Sequence, residues 1–75
     1  MYGIDGPLIL ANDRVSLTED LPELALRQGQ SGVVRTAWLF PNVAYEVEFS
    51  DLGGTGCGRV LLLHRQVLPA ARHGR

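Results

Sequence analysis

Hydrophobic and polar positions alternate most strictly in Ala44-Tyr45-Glu46-Val47-Glu48-Phe49-Ser50. Tyr45, Val47 and Phe49 fall on one face of an extended chain, Glu46 and Glu48 on the other. A slip of one residue in register would bury both glutamates, so this segment pins any sheet it joins. A shorter run of period two, Arg14-Val15-Ser16-Leu17, predicts a first strand. Val33-Val34-Arg35-Thr36-Ala37-Trp38-Leu39, rich in β-branched and aromatic residues, predicts a second. Arg59-Val60-Leu61-Leu62-Leu63 is apolar on both faces and predicts a strand with one side in the core. Its other side is then covered by the N-terminal residues or by another chain. His64 to Leu68 predicts a short turn and strand stopped by Pro69.

Turn signals separate these runs. Between the first two strands, Thr18 or Asp20 is placed to cap a single helical turn around Pro22 to Leu26, with Leu21 and Leu24 folded back as plugs. Gln28-Gly29-Gln30-Ser31-Gly32 ends that turn. Phe40-Pro41-Asn42 joins strands two and three, and the glycine-dense Asp51 to Gly58 joins three and four. Residues 1–12 read as a lead-in whose Leu8 to Leu10 either adds an edge strand or caps one end. Residues 13–69 read as one domain, and 70–75 as a frayed tail. About five short strands, one helical turn and a long loop after strand one predict an all-β fold, a small SH3-like barrel.

A chain of 75 residues buries only about 60% of the surface its unfolded form exposes, so each apolar strand counts. One cysteine, Cys57, rules out an internal disulfide. Cys57, His64 and His73 are too few and too oddly spaced for a structural zinc site, and no cofactor motif is present. The apolar stretch at Pro7 to Ala11 is too short to span a bilayer, and with one unpaired thiol the expected location is the cytoplasm.

The residues Asp13-x-Val15-x-Leu17-x-Glu19-Asp20-Leu21-Pro22-Glu23, Leu26-x-x-Gly29-x-x-Gly32-Val33-Val34 and Ala44 to Phe49 resemble a group of small bacterial proteins catalogued as domain of unknown function 4926. The resemblance runs from about Asp13 to Leu68. It implies an SH3-type barrel, related in outline to the small barrel of the nitrile hydratase β subunit. Members are often encoded beside another small protein, which implies an antitoxin or accessory-subunit role. The lead-in and the Gly53 to Gly58 cluster depart from the family pattern.

No set of residues predicts catalysis. Cys57 lacks a base placed by spacing, although Arg59 is near in sequence. Gly53 to Gly58 lacks the lysine and following helix of a phosphate loop. Glu46 and Glu48 read as a solvated outer face. The expected role is therefore a non-enzymatic interaction module that binds a protein partner or itself. In an SH3-like barrel the loop after strand one and the loop between strands two and three flank a groove. Here they supply Glu19, Asp20 and Glu23 on one side and Trp38, Phe40 and Pro41 on the other. The alternative role for Trp38 or Phe40 is to seal the barrel end. Charge supplies a second reading. Residues 1–51 hold all eight acids and three arginines, and the remainder holds only Arg59, Arg65, Arg72 and Arg75. Those four would contact phosphates in a nucleic-acid-binding protein, but four charges make a small footprint.

Overall fold

The computed structural model describes residues 9–50, 52 and 56–70. Five antiparallel strands form one sheet in the order β4-β3-β2-β1-β5. They are β1 (Arg14–Leu17), β2 (Ser31–Trp38), β3 (Ala44–Phe49), β4 (Gly58–Leu63) and β5 (Val67–Pro69). The predicted all-β class holds, and each predicted strand is present, β1 with the expected ends and the others with ends moved by up to two residues. Closure into a barrel does not form: β4 and β5 are the two ends of the sheet, with no ladder between them among the described residues.

Hydrophobic periodicity decides which side of the sheet is buried. Val15 and Leu17 of β1, Val34 of β2, Tyr45, Val47 and Phe49 of β3, Leu62 of β4 and Val67 of β5 are almost fully buried. The core gains two more side chains from outside the strands. Leu26 enters from the β1–β2 loop, and Ile9 from the lead-in, where 9 and 10 form no strand. Asn12 donates its N–H to the Val34 carbonyl at 2.7 Å, and Val34 donates to the Asp13 carbonyl at 2.9 Å, which anchors the segment behind Ile9. Leu8, the start of the predicted edge strand, lies outside the described residues, as do Asp51, Gly53 to Thr55 and the predicted tail from 71 onward.

The β1–β2 loop contains a 3-10 turn at Pro22–Leu24, opened by Pro22 and closed by Ala25 in the left-handed region at φ 57°. Neither Thr18 nor Asp20 caps it, contrary to expectation: Leu21 occupies the cap position without a side-chain bond. Leu21 and Leu26 instead exchange backbone bonds at 2.9 and 3.2 Å, which closes the loop neck and turns Leu26 inward. Leu21 and Leu24 pack against the core as partly buried plugs, as predicted.

A β-bulge in β2 sets the outer face. Val34 pairs with Val47 and Thr36 with Glu46, leaving Arg35 as the extra residue. Without it, Val34, Thr36 and Trp38 would share a face by simple alternation, and Trp38 would point into the core. The extra residue reverses the alternation. Ala37 then packs against the core opposite Tyr45, and Trp38 turns outward opposite Ala44.

Candidate functional site

The outer face of the sheet divides into a charged centre and an apolar end. Arg35 Nε meets Glu48 Oε1 at 2.9 Å, and Arg59 lies 3.5 Å from Glu46 and 3.7 Å from Glu48. Thr36 Oγ1 donates to Glu46 Oε1 at 3.1 Å. The Arg35 hydrogen bond, reinforced by the charges of Arg35 and Arg59, holds the Glu48 carboxyl below the ordinary glutamate range. Such pairs, open to solvent, add little stability at neutral pH.

Their contribution has a definite sign. A carboxyl whose folded pKa is depressed stabilises the fold above its unfolded pKa, and that stability disappears as pH falls through the folded value. Wild-type protein is therefore expected to lose stability on acidification below about pH 5 more steeply than a Glu48→Gln variant. Urea midpoints measured along a pH series check this, and parallel curves for the two proteins would refute it.

The apolar end lies where β2 finishes and β3 begins. Register places Trp38, Ala44 and Leu63 in one row across three strands. Beyond Trp38 the chain continues through Leu39, Phe40 and Pro41, with a cis Phe40–Pro41 peptide. Trp38 is 44% exposed and Phe40 86% exposed. Of the two roles open to these aromatics, sealing the core is thus excluded for Phe40, and Trp38 stands on the outer face.

A second 3-10 turn, His64–Gln66, connects β4 to β5 and lies between the two loops named from the sequence. On one side, Thr18 Oγ1 donates to the Arg65 carbonyl at 2.8 Å, and Thr18 donates its N–H to the Gln66 carbonyl at 2.9 Å. Gln66 is a strut: its Oε1 accepts the Leu63 N–H at 2.8 Å while its Nε2 donates to Glu19 Oε2 at 3.1 Å. On the other side, Asn42 and Val43 of the β2–β3 turn line a shallow recess with Leu63, His64 and Arg65, about 460 Å³ in volume. The Tyr45 hydroxyl and His64 Nδ1 are hydrogen-bonded at 2.8 Å, which fixes the imidazole beside this recess. Burial of Tyr45 raises its pKa.

Only part of the expected constellation comes together. Glu19 sits at the second 3-10 turn, while Trp38, Phe40 and Pro41 lie around the β2–β3 turn on its far side. No hydrogen bond or ion pair joins the two groups among the described residues. Asp20 accepts the Gln28 N–H at 2.8 Å and borders a separate recess of about 290 Å³ with Pro22, Ala25, Leu26 and Arg27. Glu23 is exposed within the first 3-10 turn. The sequence did not single out Val43 or Gln66, gave Asn42 only as a turn residue, and offered His64 only as an insufficient zinc ligand or a base not placed near Cys57.

Two of the four arginines of the second reading are described. Arg59 is engaged by two glutamates, Arg65 is exposed on the second 3-10 turn, and Arg72 and Arg75 lie outside the described residues. Cys57 is an exposed free thiol. Among the described residues no three His, Cys, Asp or Glu side chains gather as a metal site, and no helix is long and apolar enough to cross a membrane.

Comparison with known proteins places the sequence in a family. No curated protein and no solved structure matches the chain. A family profile described as domain of unknown function (DUF4926) matches residues 11–68, from just after Leu10 to the middle of β5. That span takes in all of β1 to β4, both 3-10 turns and both candidate loops. The chain therefore belongs to the DUF4926 family.

Proposed function

We propose that this chain is a non-enzymatic protein-interaction module, an accessory or antitoxin-like subunit that binds a second protein in the cytoplasm. The partner lies across the β2–β3 turn and the recess beside the second 3-10 turn. One observation carries this reading: Phe40, a large apolar side chain, is 86% exposed and directly follows exposed Trp38 and Leu39. Burying one such side chain at an interface is worth about 1.5–3 kcal/mol. Aromatic anchors of this kind commonly dominate binding energy. Glu19, held by Gln66 on the other side of the turn, adds an acid that favours a partner with a basic flank. The strand order and the 3-10 turn before β5 support an SH3-like architecture for the module. Arg59, already paired with Glu46 and Glu48, disfavours phosphate binding through the same sheet.

Affinity capture from native lysate, with and without nuclease, tests the reading on tagged wild type and a Phe40→Ser variant. The expected result is a stoichiometric protein that survives nuclease and is recovered about ten-fold less by the variant, equivalent to 1.4 kcal/mol. The exposure of Phe40 leaves the core intact, so the variant should keep the wild-type urea midpoint. Equal recovery by both proteins removes the proposed surface. Recovered nucleic acid that leaves with salt or nuclease would replace the reading with phosphate binding.

A further inference from the structure

The two edges of the sheet differ in how they are protected. β5 is three residues long and ends in Pro69, which has no N–H to offer another strand. β4 is six residues long, contains no proline, and keeps an unbroken register with β3 from Gly58 to Leu63. Among the described residues it pairs on one side only. An antiparallel strand directs alternate N–H and C=O groups away from its neighbour, so the open edge of β4 is a template for another strand. Its outward side chains do not guard it. Leu61 is 63% exposed, and Arg59, the one charge on the strand, is balanced within its own chain by Glu46 and Glu48.

We propose that the strand filling this edge is β4 of a second copy, antiparallel and centred on Leu61, which joins two five-stranded sheets into one of ten strands. The register follows from geometry. Residues directly opposite in an antiparallel pair share a face, so a two-fold axis between copies of one strand must pass through a residue pair of the same number. Centring on Leu61 uses the strand most fully. Leu61 faces the partner's Leu61 on the outer side, Val60 faces the partner's Leu62 on the inner side, and Arg59 faces the partner's Leu63. No like charges meet: the two Arg59 residues stand at opposite ends of the ladder, four residues or about 14 Å apart along it. The long Arg59 stem covers the partner's Leu63 while its guanidinium stays with Glu46 and Glu48. Charge balance within each copy thus removes the repulsion that normally keeps sheet edges apart, and the apolar outward positions match one another. This contact uses the β4 edge and not the Phe40 surface, so it stands independently of the proposed partner.

A single strand pair buries less than the roughly 800 Å² per partner of a standard stable interface, so the dimer is expected to be concentration-dependent. Sedimentation equilibrium of purified, untagged protein reads this directly. The weight-average mass should rise from near 8.2 kDa toward twice that value as the protein is concentrated. Leu61→Glu sets two carboxylates face to face on the axis and should weaken association at least about ten-fold. Leu68→Glu, at a 56% exposed position on the opposite edge strand, should leave it unchanged. In a Cys57→Ser background, Leu61→Cys should form an intermolecular disulfide on mild oxidation, because opposite Cα atoms lie within disulfide reach. Arg59→Cys alone should not. A monomer throughout the concentration range overturns the proposal. So does a dimer equally weakened by Leu68→Glu, or one in which Arg59→Cys cross-links as readily as Leu61→Cys.

Discussion

Replacing Phe49 with alanine is expected to remove about half or more of the protein's folding stability. Phe49 is 1% exposed at the C-terminal end of β3. Its neighbours across the sheet explain why the loss is large. On the β4 side it pairs with Gly58, and on the β2 side its ring lies 3.0 Å from where a Cβ on Gly32 would stand. The ring therefore fills space that Gly32 leaves open, while Leu52 fills the space over Gly58. Neither glycine has a side chain that could move in when the ring is removed. Truncation of a buried phenylalanine costs about 3–5 kcal/mol, and the upper part of that range applies where the site cannot collapse. Total stability for a domain of this size is on the order of 4–11 kcal/mol, so a loss near about 5 kcal/mol removes from about half to all of it. Urea unfolding followed by circular dichroism measures the effect. Phe49→Leu, which keeps most of the volume, should lose less than half as much. Similar midpoints for wild type and Phe49→Ala would mean that Phe49 is not central to the core.

The strength of β3 in the sequence and the ambiguity of β2 have one physical origin, the reliability of alternation. Tyr45, Val47 and Phe49 could be assigned to the core because nothing interrupts their period of two, and all three are buried. In β2 the same rule fails at Arg35. A bulge is a property of how two strands pair, and the residues Val34-Arg35-Thr36 carry no glycine or proline to announce one. From the sequence Trp38 stood between groove and core, and one inserted residue turns it away from the core. β4 was legible as apolar on both faces, but its open edge became visible only from the strand order.

The loops show a second limit. That a helical turn would form near Pro22 was readable, because proline and the following acid are local signals. That Thr18 and Glu19 would dock on Arg65 and Gln66 was not, since those bonds join residues 47 apart in the chain. No local spacing encodes such a contact; it follows once β1 pairs with β5 through Leu17 and Val67. Trp38, Phe40 and Pro41 were named from residue type and from their place between strands two and three, and the sequence left open whether the aromatics seal the end of the core. Asn42 and Val43 were missed as recess residues because side chains of those types give no chemical signal without a recess to line.

Gly32→Ala is expected to destabilise the protein by about 1–3 kcal/mol, against the usual trend for this substitution. Glycine within a strand is ordinarily worse than alanine by about 0.5–1 kcal/mol, because it loses more backbone freedom on folding. Space reverses the sign here. A Cβ at Gly32 would stand 2.6 Å from Val47 Cγ1, 2.9 Å from the Glu48 carbonyl oxygen and 3.0 Å from the Phe49 ring. Val47 could rotate, but the carbonyl belongs to the β3 backbone and cannot move without separating β2 from β3. Those two strands also carry, at the far end of their ladder, the turn that presents Trp38 and Phe40, so separating them at Gly32 would loosen the candidate surface through the ladder. The variant should therefore show a lower urea midpoint and weaker partner capture, whereas Phe40→Ser should weaken capture alone. A midpoint equal to or above wild type would show that the strands accommodate the methyl group, and would separate the packing of this end of the sheet from the presentation of Phe40.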